Sequence, residues 1–199
     1  MPNSIAGVIL AGGRSSRMGN DKSFIALQGK TLIQRCLQRA SAQVSPVVIS
    51  ASEPISRFDG LGCTVVADEI PDYAGPLAGL LAAMKYFATL EENITQVASF
   101  PVDSPFFPRD LVARLHTATQ DQTADIAIPC YQGRAHWVFG VWSIGLSDEL
   151  ETYLRRGNRS VNEWVVRQQH CLVDCAANED PFFNINTPED LQFASRLLE

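Results

Sequence analysis

At 199 residues, with 46% hydrophobic and 19% charged side chains, the chain is long enough to bury a substantial core, and its composition fits neither disorder nor a fibrous repeat. A net charge of −6 at pH 7 argues against general nucleic-acid binding, which favours a basic face. No run approaches the roughly 18 apolar residues of a membrane helix, and the opening Met1-Pro2-Asn3-Ser4-Ile5 lacks a basic stretch leading into an apolar core, so a cytoplasmic location is expected.

The first apolar run, Ile5 to Ala11, predicts a buried strand. It leads into Gly12-Gly13-Arg14-Ser15-Ser16-Arg17-Met18-Gly19-Asn20-Asp21-Lys22. Glycines there let main-chain N–H groups approach an anion, and three basic residues face one acid in an otherwise acidic chain. The stretch reads as a phosphate cradle. Its spacing is neither the adjacent Gly-Lys of a Walker A loop nor G-x-G-x-x-G. A helix is expected over Leu32 to Ala42, a strand over Val47 to Ala51 and another over Cys63 to Ala67. After Pro76, the residues Leu77, Leu80, Leu81, Met84 and Phe87 recur at helical spacing, which predicts a helix to Ala88 with these side chains in the core. A strand over Val97 to Phe100, a helix over Leu111 to Ala118 and a strand over Ile126 to Pro129 continue the alternation. Such alternation reads as βαβ units around a mostly parallel sheet.

Beyond Tyr131, the run Trp137-Val138-Phe139-Gly140-Val141-Trp142 predicts an antiparallel strand, and Asp148 to Arg155 a helix. Thr187-Pro188-Glu189-Asp190 is a helix start: a capping Thr, Pro at the first helical position and an acid where a capping box needs one. That last helix is expected to run to about Leu198. No repeat or linker interrupts residues 1–199, so one domain is expected. Five scattered cysteines without a C-x-x-C pair read as reduced thiols, and His170 with Cys171 and Cys175 falls short of a zinc set.

In an open α/β sheet, ligands bind at the carboxyl ends of the strands. Four such ends stand out: the glycine-rich loop with Lys22, then Ser50-Ala51-Ser52, then Asp68, then Pro101-Val102-Asp103-Ser104-Pro105. Asp103, held between two prolines, reads either as a ligand for a hard cation such as magnesium or as a cap for a helix beginning near Pro108. Gly79, one turn inside a helix opened by Gly75-Pro76, allows close approach of a ligand or of another backbone. His136 alone reads as a structural hydrogen-bonding residue, and Asn184 and Asn186 equally as turn or cap residues.

The stretch Leu10 to Lys22 is similar to the L-A-G-G-x-S-x-R-M-G-x-D-K signature of the molybdenum cofactor guanylyltransferases, within the wider nucleotidyltransferase superfamily. Further blocks follow in order. Asp103 lies in a segment resembling P-C-D-x-P-[FY], with Val102 in place of Cys. Gly75 to Leu80 resembles G-P-L-A-G-[IM], His136 to Val141 resembles H-P-[TV]-F-[GA]-[LV] with Trp137 in place of Pro, and Phe182 to Leu191 resembles F-x-N-[IV]-N-T-P-E-[DE]-L. The resemblance implies a Rossmann-like, three-layer α/β/α nucleotidyltransferase fold with a mostly parallel sheet. It also implies transfer of GMP from GTP to the terminal phosphate of molybdenum-loaded molybdopterin. By the same resemblance Lys22, Arg17 and Asp103 are catalytic, with Asp103 holding magnesium, and Leu10, Ala11, Gly12, Gly13, Ser52 and Asp68 join Lys22 and Asp103 around the nucleotide. Ser52 stands where the family usually has Asn. Gly79, His136, Asn184 and Asn186 are implied on the acceptor side. The nucleotide-binding half is expected at about 1–107 and the molybdopterin-binding half at about 108–199, with other cofactor-biosynthesis proteins and acceptor molybdoenzymes as protein partners.

Overall fold

The computed structural model describes residues 5–12, 22–51, 55–67, 75–90 and 93–198. In chain order they form β1 (Ile5–Leu10), β2 (Ala26–Leu27), β3 (Lys30–Thr31), α1 (Leu32–Ser41), β4 (Val47–Ala51), β5 (Thr64–Ala67), α2 (Pro76–Ala88), β6 (Gln96–Pro101) and α3 (Leu111–Asp121). Then come β7 (Ile126–Tyr131), β8 (Arg134–Ala135), β9 (Gly140–Ser143), α4 (Ser147–Arg155), α5 (Val161–Val165), β10 (His170–Asp174) and α6 (Pro188–Arg196). One sheet runs β10-β7-β9-β6-β1-β4-β5, with β8 added beside β7, and a separate hairpin pairs β2 with β3. Every pairing along the main path is parallel except the two made by β9. This is the mostly parallel, helix-flanked sheet that the alternation of runs predicts.

Burial on both faces explains the continuous apolar strands. In β1, Ala6, Val8 and Leu10 join the core under α2, α4 and α5, while Ile9 joins the core under α1 and α3. The predicted stripe of α2 is buried throughout, Leu77, Leu80, Leu81, Met84 and Phe87 each being at most 2% exposed. Each such side chain contributes about 1.5–3 kcal/mol relative to exposure. A third, smaller cluster joins Leu27 and Leu32 to Ile185 and Ala194 of the C-terminal segment. Register then positions the site. Leu10 pairs with Ser50 on one side and Pro101 on the other, so β1, β4 and β6 end level. From β1 the chain builds outward through β4 and β5, then returns to place β6 on β1's other flank, which makes the β1/β6 boundary the topological switch point.

The expected strand over Trp137 to Trp142 is corrected: β9 starts only at Gly140. The Phe139 N–H turns back to the His136 carbonyl at 3.0 Å, and the Val138 carbonyl accepts from the Ser99 hydroxyl at 2.7 Å instead of a ladder N–H. The α6 capping box forms as predicted, although the helix ends at Arg196 rather than Leu198. Asp103 caps no helix, since α3 begins at Leu111 with Asp110 before it. The five cysteines are free thiols.

Gly79 lets α2 sit close against the ends of β1 and β4. A Cβ placed there meets the Ser50 Oγ at 2.5 Å and the Leu10 Cδ2 at 3.0 Å. Overpacking costs about 1–3 kcal/mol, whereas replacing a helical Gly with Ala gains only about 1 kcal/mol. Gly79→Ala should therefore lower the urea midpoint, and adding Ser50→Ala, which removes the nearest atom, should recover part of the loss. A Gly79→Ala variant more stable than wild type would contradict this packing.

Candidate active site

The carboxyl ends of β4, β1 and β6 are stitched together first by backbone. Val102 donates to the Leu10 carbonyl at 3.2 Å, and Ala11 to the Ser50 carbonyl at 2.8 Å. The turn after β6 is braced from beneath by α1. The Arg39 Nε donates to the Pro105 carbonyl at 3.0 Å, and the Cys36 thiol reaches the Val102 carbonyl at 3.4 Å. Burial, and secondarily the charge of Asp103, pushes the Cys36 pKa up, so it stays a thiol and keeps a proton to donate. Val102 itself is buried in this core, 7% exposed.

Across this turn lies the segment Asn184-Ile185-Asn186. The Ile185 N–H donates to the Asp103 carbonyl at 2.8 Å, and the Ser104 hydroxyl to the Asn184 Oδ1 at 2.5 Å. The Asp190 carboxylate accepts from both Asn186 and Thr187 N–H groups at 2.8 Å, so the capping box of α6 also fixes Asn186. Lys22 opens a short 3-10 turn and points its ammonium into the gap. Its Nζ donates to the Asn186 Oδ1 and lies 3.6 Å from the Asp103 Oδ2. Both partners of that ion pair are 21% exposed at the side chain. Burial pushes the Asp103 pKa above its ordinary value of 3.8, with Lys22 and local hydrogen bonds pulling the other way. A half-buried carboxylate whose charged form is disfavoured by burial gains from a further cation beside it.

A cleft of about 670 Å³ opens from this point, with Leu10, Ala11, Gly12, Lys22, Asp103 and Asn186 among the residues that line it. His136, Trp137 and Asn184 line it as well. Gly79 is not in its wall; it sits beneath, against Ser50. Gly13, Arg17, Ser52 and Asp68 lie outside the described residues. Among the described residues, no group of three or more His, Cys, Asp or Glu side chains is placed to cage a metal, so a cation here would rest on Asp103 and on ligand oxygens.

Sequence reasoning missed Arg134, Asp180 and Phe183, all of which line the cleft. Arg134 follows a two-residue hairpin turn at Gln132 and Gly133, with φ of 47° and 79°. Asn-Gly or Asp-Gly is the usual signal for such a turn, and Gln-Gly carries it only through the glycine. Asp180 accepts from the Phe182 N–H at 2.8 Å and stands 3.9 Å from the His136 Nε2.

Residues 7–171 match the family model of the MobA-like NTP transferase domain. A protein of Rhizobium leguminosarum bv. trifolii named molybdenum cofactor guanylyltransferase is 44% identical, covering 99% of this chain and 94% of its own. One of the same name from Nitrobacter hamburgensis is 39% identical, covering 96% and 93%. Among solved structures, molybdopterin-guanine dinucleotide biosynthesis protein A from Archaeoglobus fulgidus superposes with a TM-score of 0.77 at 22% identity, covering 97% of this chain and 98% of that one, and so shares the fold.

The buried carboxylate has a consequence for stability against pH. The Asp103 pKa is raised in the folded state, so between about 3.8 and that raised value the native protein holds more protons than the unfolded chain, and stability falls as pH rises. Asp103→Asn removes this loss. Its stability relative to wild type should grow as pH climbs through the window just above 3.8 and then level off, measured by urea unfolding from pH 4 to 7. A relative stability independent of pH, or one that declines, would show that the carboxylate is not strained by burial.

Proposed function

We infer the function of this chain from one premise: it belongs to the MobA-like NTP transferase family and is a nucleotidyltransferase. Its reaction is that of a molybdenum cofactor guanylyltransferase, GMP transfer in molybdenum cofactor biosynthesis. The nucleotide is GTP and the acceptor a molybdopterin whose terminal phosphate takes the GMP. Relatives at 39–44% identity across nearly the whole chain carry this reading. The local observation behind it is Lys22, Asp103 and Asn186 at one point on the switch crevice.

An oxygen of the acceptor phosphate attacks the α-phosphorus of GTP, a new phosphoanhydride bond forms, and the bond to the β-phosphate oxygen breaks to release pyrophosphate. The attacking oxygen is already anionic at neutral pH, so no general base is required. The barrier lies in bringing anion against anion. Lys22 supplies a compact positive charge where that repulsion is greatest, and Asn186 and Asp103 hold the ammonium in place. The backbone at Ala11 and Gly12, at the end of β1, is free of bulk where phosphates would approach. Asp103 would hold a divalent cation, magnesium in our reading, together with substrate oxygens; bound there, the ion neutralises developing phosphate charge. Residues to about 107 would hold the nucleotide and those beyond it the pterin, with His136 and Asn184 on the acceptor side. No helix among the described residues is long and apolar enough to cross a membrane. Five free thiols suit a reducing cytoplasm, where the product would pass to molybdoenzymes.

Pyrophosphate release with each of the four nucleoside triphosphates, magnesium and molybdenum-loaded molybdopterin tests the reading. GTP should be consumed and CTP not, and chelation of the cation should abolish turnover until magnesium is restored. Equal use of CTP would move the chain to the cytidylyl branch. For Lys22, a unit charge about 4 Å from another is worth roughly 4 kcal/mol at an effective dielectric near 20. If about half is realised only in the transition state, Lys22→Ala lowers kcat on the order of 30-fold in a folded protein. Wild-type kcat in that variant would remove Lys22 from the chemistry.

A further inference from the structure

On the wall of the same cleft, His136 and Asp180 have no part in the transfer step derived above. The His136 side chain is only 10% exposed, yet its Nε2 has no hydrogen-bond partner among the described residues. An orphaned buried nitrogen on a cleft wall calls for a ligand atom. Its ring is held from behind by Phe182, with centroids 4.5 Å apart, so the unpaired atom cannot swing away without losing that packing. The Asp180 Oδ1, 3.9 Å from the Nε2, is too distant to bond it. That carboxylate is itself fixed by the Phe182 N–H at 2.8 Å and keeps lone pairs to spare.

The chemistry of the missing partner follows from the groups on offer. Burial holds the His136 pKa below its usual range, with Arg134 acting in the same direction and Asp180 opposing them. The imidazole is therefore neutral, and the nearby carboxylate favours its one proton on Nε2. The wall thus presents a donor beside a carboxylate acceptor. A phosphate could meet Arg134 but would leave Asp180, the carboxylate nearest the orphaned nitrogen, repelled and unmatched. Adenine and cytosine edges offer an amine where His136 donates. A ring carbonyl next to a ring N–H and an exocyclic amine fits both His136 and Asp180, and the aromatic residues Trp137 and Phe183 line the same cleft. We propose that His136 and Asp180 read a 2-amino-4-oxopyrimidine edge, with His136 donating to the carbonyl and Asp180 accepting from the ring N–H and the amine.

That edge belongs both to a pterin and to guanine; the inference rests on the reading above, which puts His136 with the pterin, and guanine is the alternative that the test separates. Calorimetric binding of two ligand pairs separates them: 6-hydroxymethylpterin against its 2-deamino analogue 6-hydroxymethyl-4-oxopteridine, and GTP against ITP. In each pair only the exocyclic amine is lost. Wild type should prefer the amino member of one pair by tenfold or more, since a site built for a donor rejects its absence strongly. Asp180→Asn, which still accepts from Phe182, and His136→Phe, which keeps the ring packing, should both weaken binding of that amino member, and Asp180→Asn should erase the preference. Loss within the pterin pair assigns the edge to the acceptor; loss within the nucleotide pair assigns it to the base. No preference in wild type, or a preference unchanged in Asp180→Asn with a wild-type thermal midpoint, overturns the proposal. Failure of the functional reading looks different, because it appears as absent GTP-dependent pyrophosphate release in wild type.

Discussion

The ammonium of Lys22, shared between Asp103 and Asn186, is the contact on which the rest of the cleft depends. Its three residues come from the N-terminal loop, the end of the central strand β6 and the segment before the last helix. Each arrives by a different physical route. Lys22 is set by the 3-10 turn that bends the chain toward the β2–β3 hairpin, Asp103 by a turn braced on α1, and Asn186 by the capping box of α6. The small cluster joining Leu27 and Leu32 to Ile185 and Ala194 supplies the apolar burial that holds the first and last of these routes together. Hydrophobic packing closes the chain ends on one another, and the polar contacts then fix the distance.

Electrostatics explains why the arrangement is not a simple cationic patch. On the proposed function a chain of net charge −6 receives a polyanion, so positive charge has to be local. Yet the lysine is neighboured by a half-buried carboxylate that burial disfavours. Coulomb attraction at 3.6 Å offsets part of that desolvation but does not reverse it. The carboxylate is thus retained at a cost in stability. Such a cost is expected where a group exists to bind something else. A cation shared between Asp103 and phosphate oxygens would relieve both the strained acid and the incoming charge.

How much of this is legible in the sequence depends on whether the signal is local. The capping box at Thr187 and Asp190, the apolar stripe of α2 and the alternation of strands and helices are local patterns, and the structure reproduces them. The meeting of Lys22 with Asn186 is not local, spanning 164 positions, and only the ordered family blocks hint that both ends belong to one site. Two hairpins carry little sequence signal for a shared reason. Gln28-Gly29 and Gln132-Gly133 both turn through positive φ, and glutamine is a poor herald of that geometry. The extended look of Trp137 to Phe139 misleads for another reason: β-branched and aromatic residues report burial as readily as pairing. Strand β10 is hard to read because His170-Cys171-Leu172-Val173-Asp174 sits at the sheet edge and is half exposed.

The single reversed strand in the main path explains how the second half of the chain reaches the cleft at all. In a wholly parallel sheet, only residues following a strand arrive at the carboxyl edge; those preceding one lie at the opposite edge. Because β9 runs against β6 and β7, with Gly140 beside Ser99 and Val141 beside Ala127, its entry lies at the edge where its neighbours exit. The residues leading into β9 are His136, Trp137, Val138 and Phe139, and all four line the cleft. The Ser99 hydroxyl fastens this entry by donating to the Val138 carbonyl while accepting from the Trp142 Nε1, so one buried side chain ties the strand to its own approach. The parallel strands line the cleft with the residues at their exits, Lys22's partner Asp103 among them, and the antiparallel strand lines it with the residues at its entry; the proposed function puts transfer on the first wall and acceptor binding on the second. A sheet with one inverted member can therefore present two chemically distinct walls at one edge, an arrangement that suits the proposed joining of two anionic substrates.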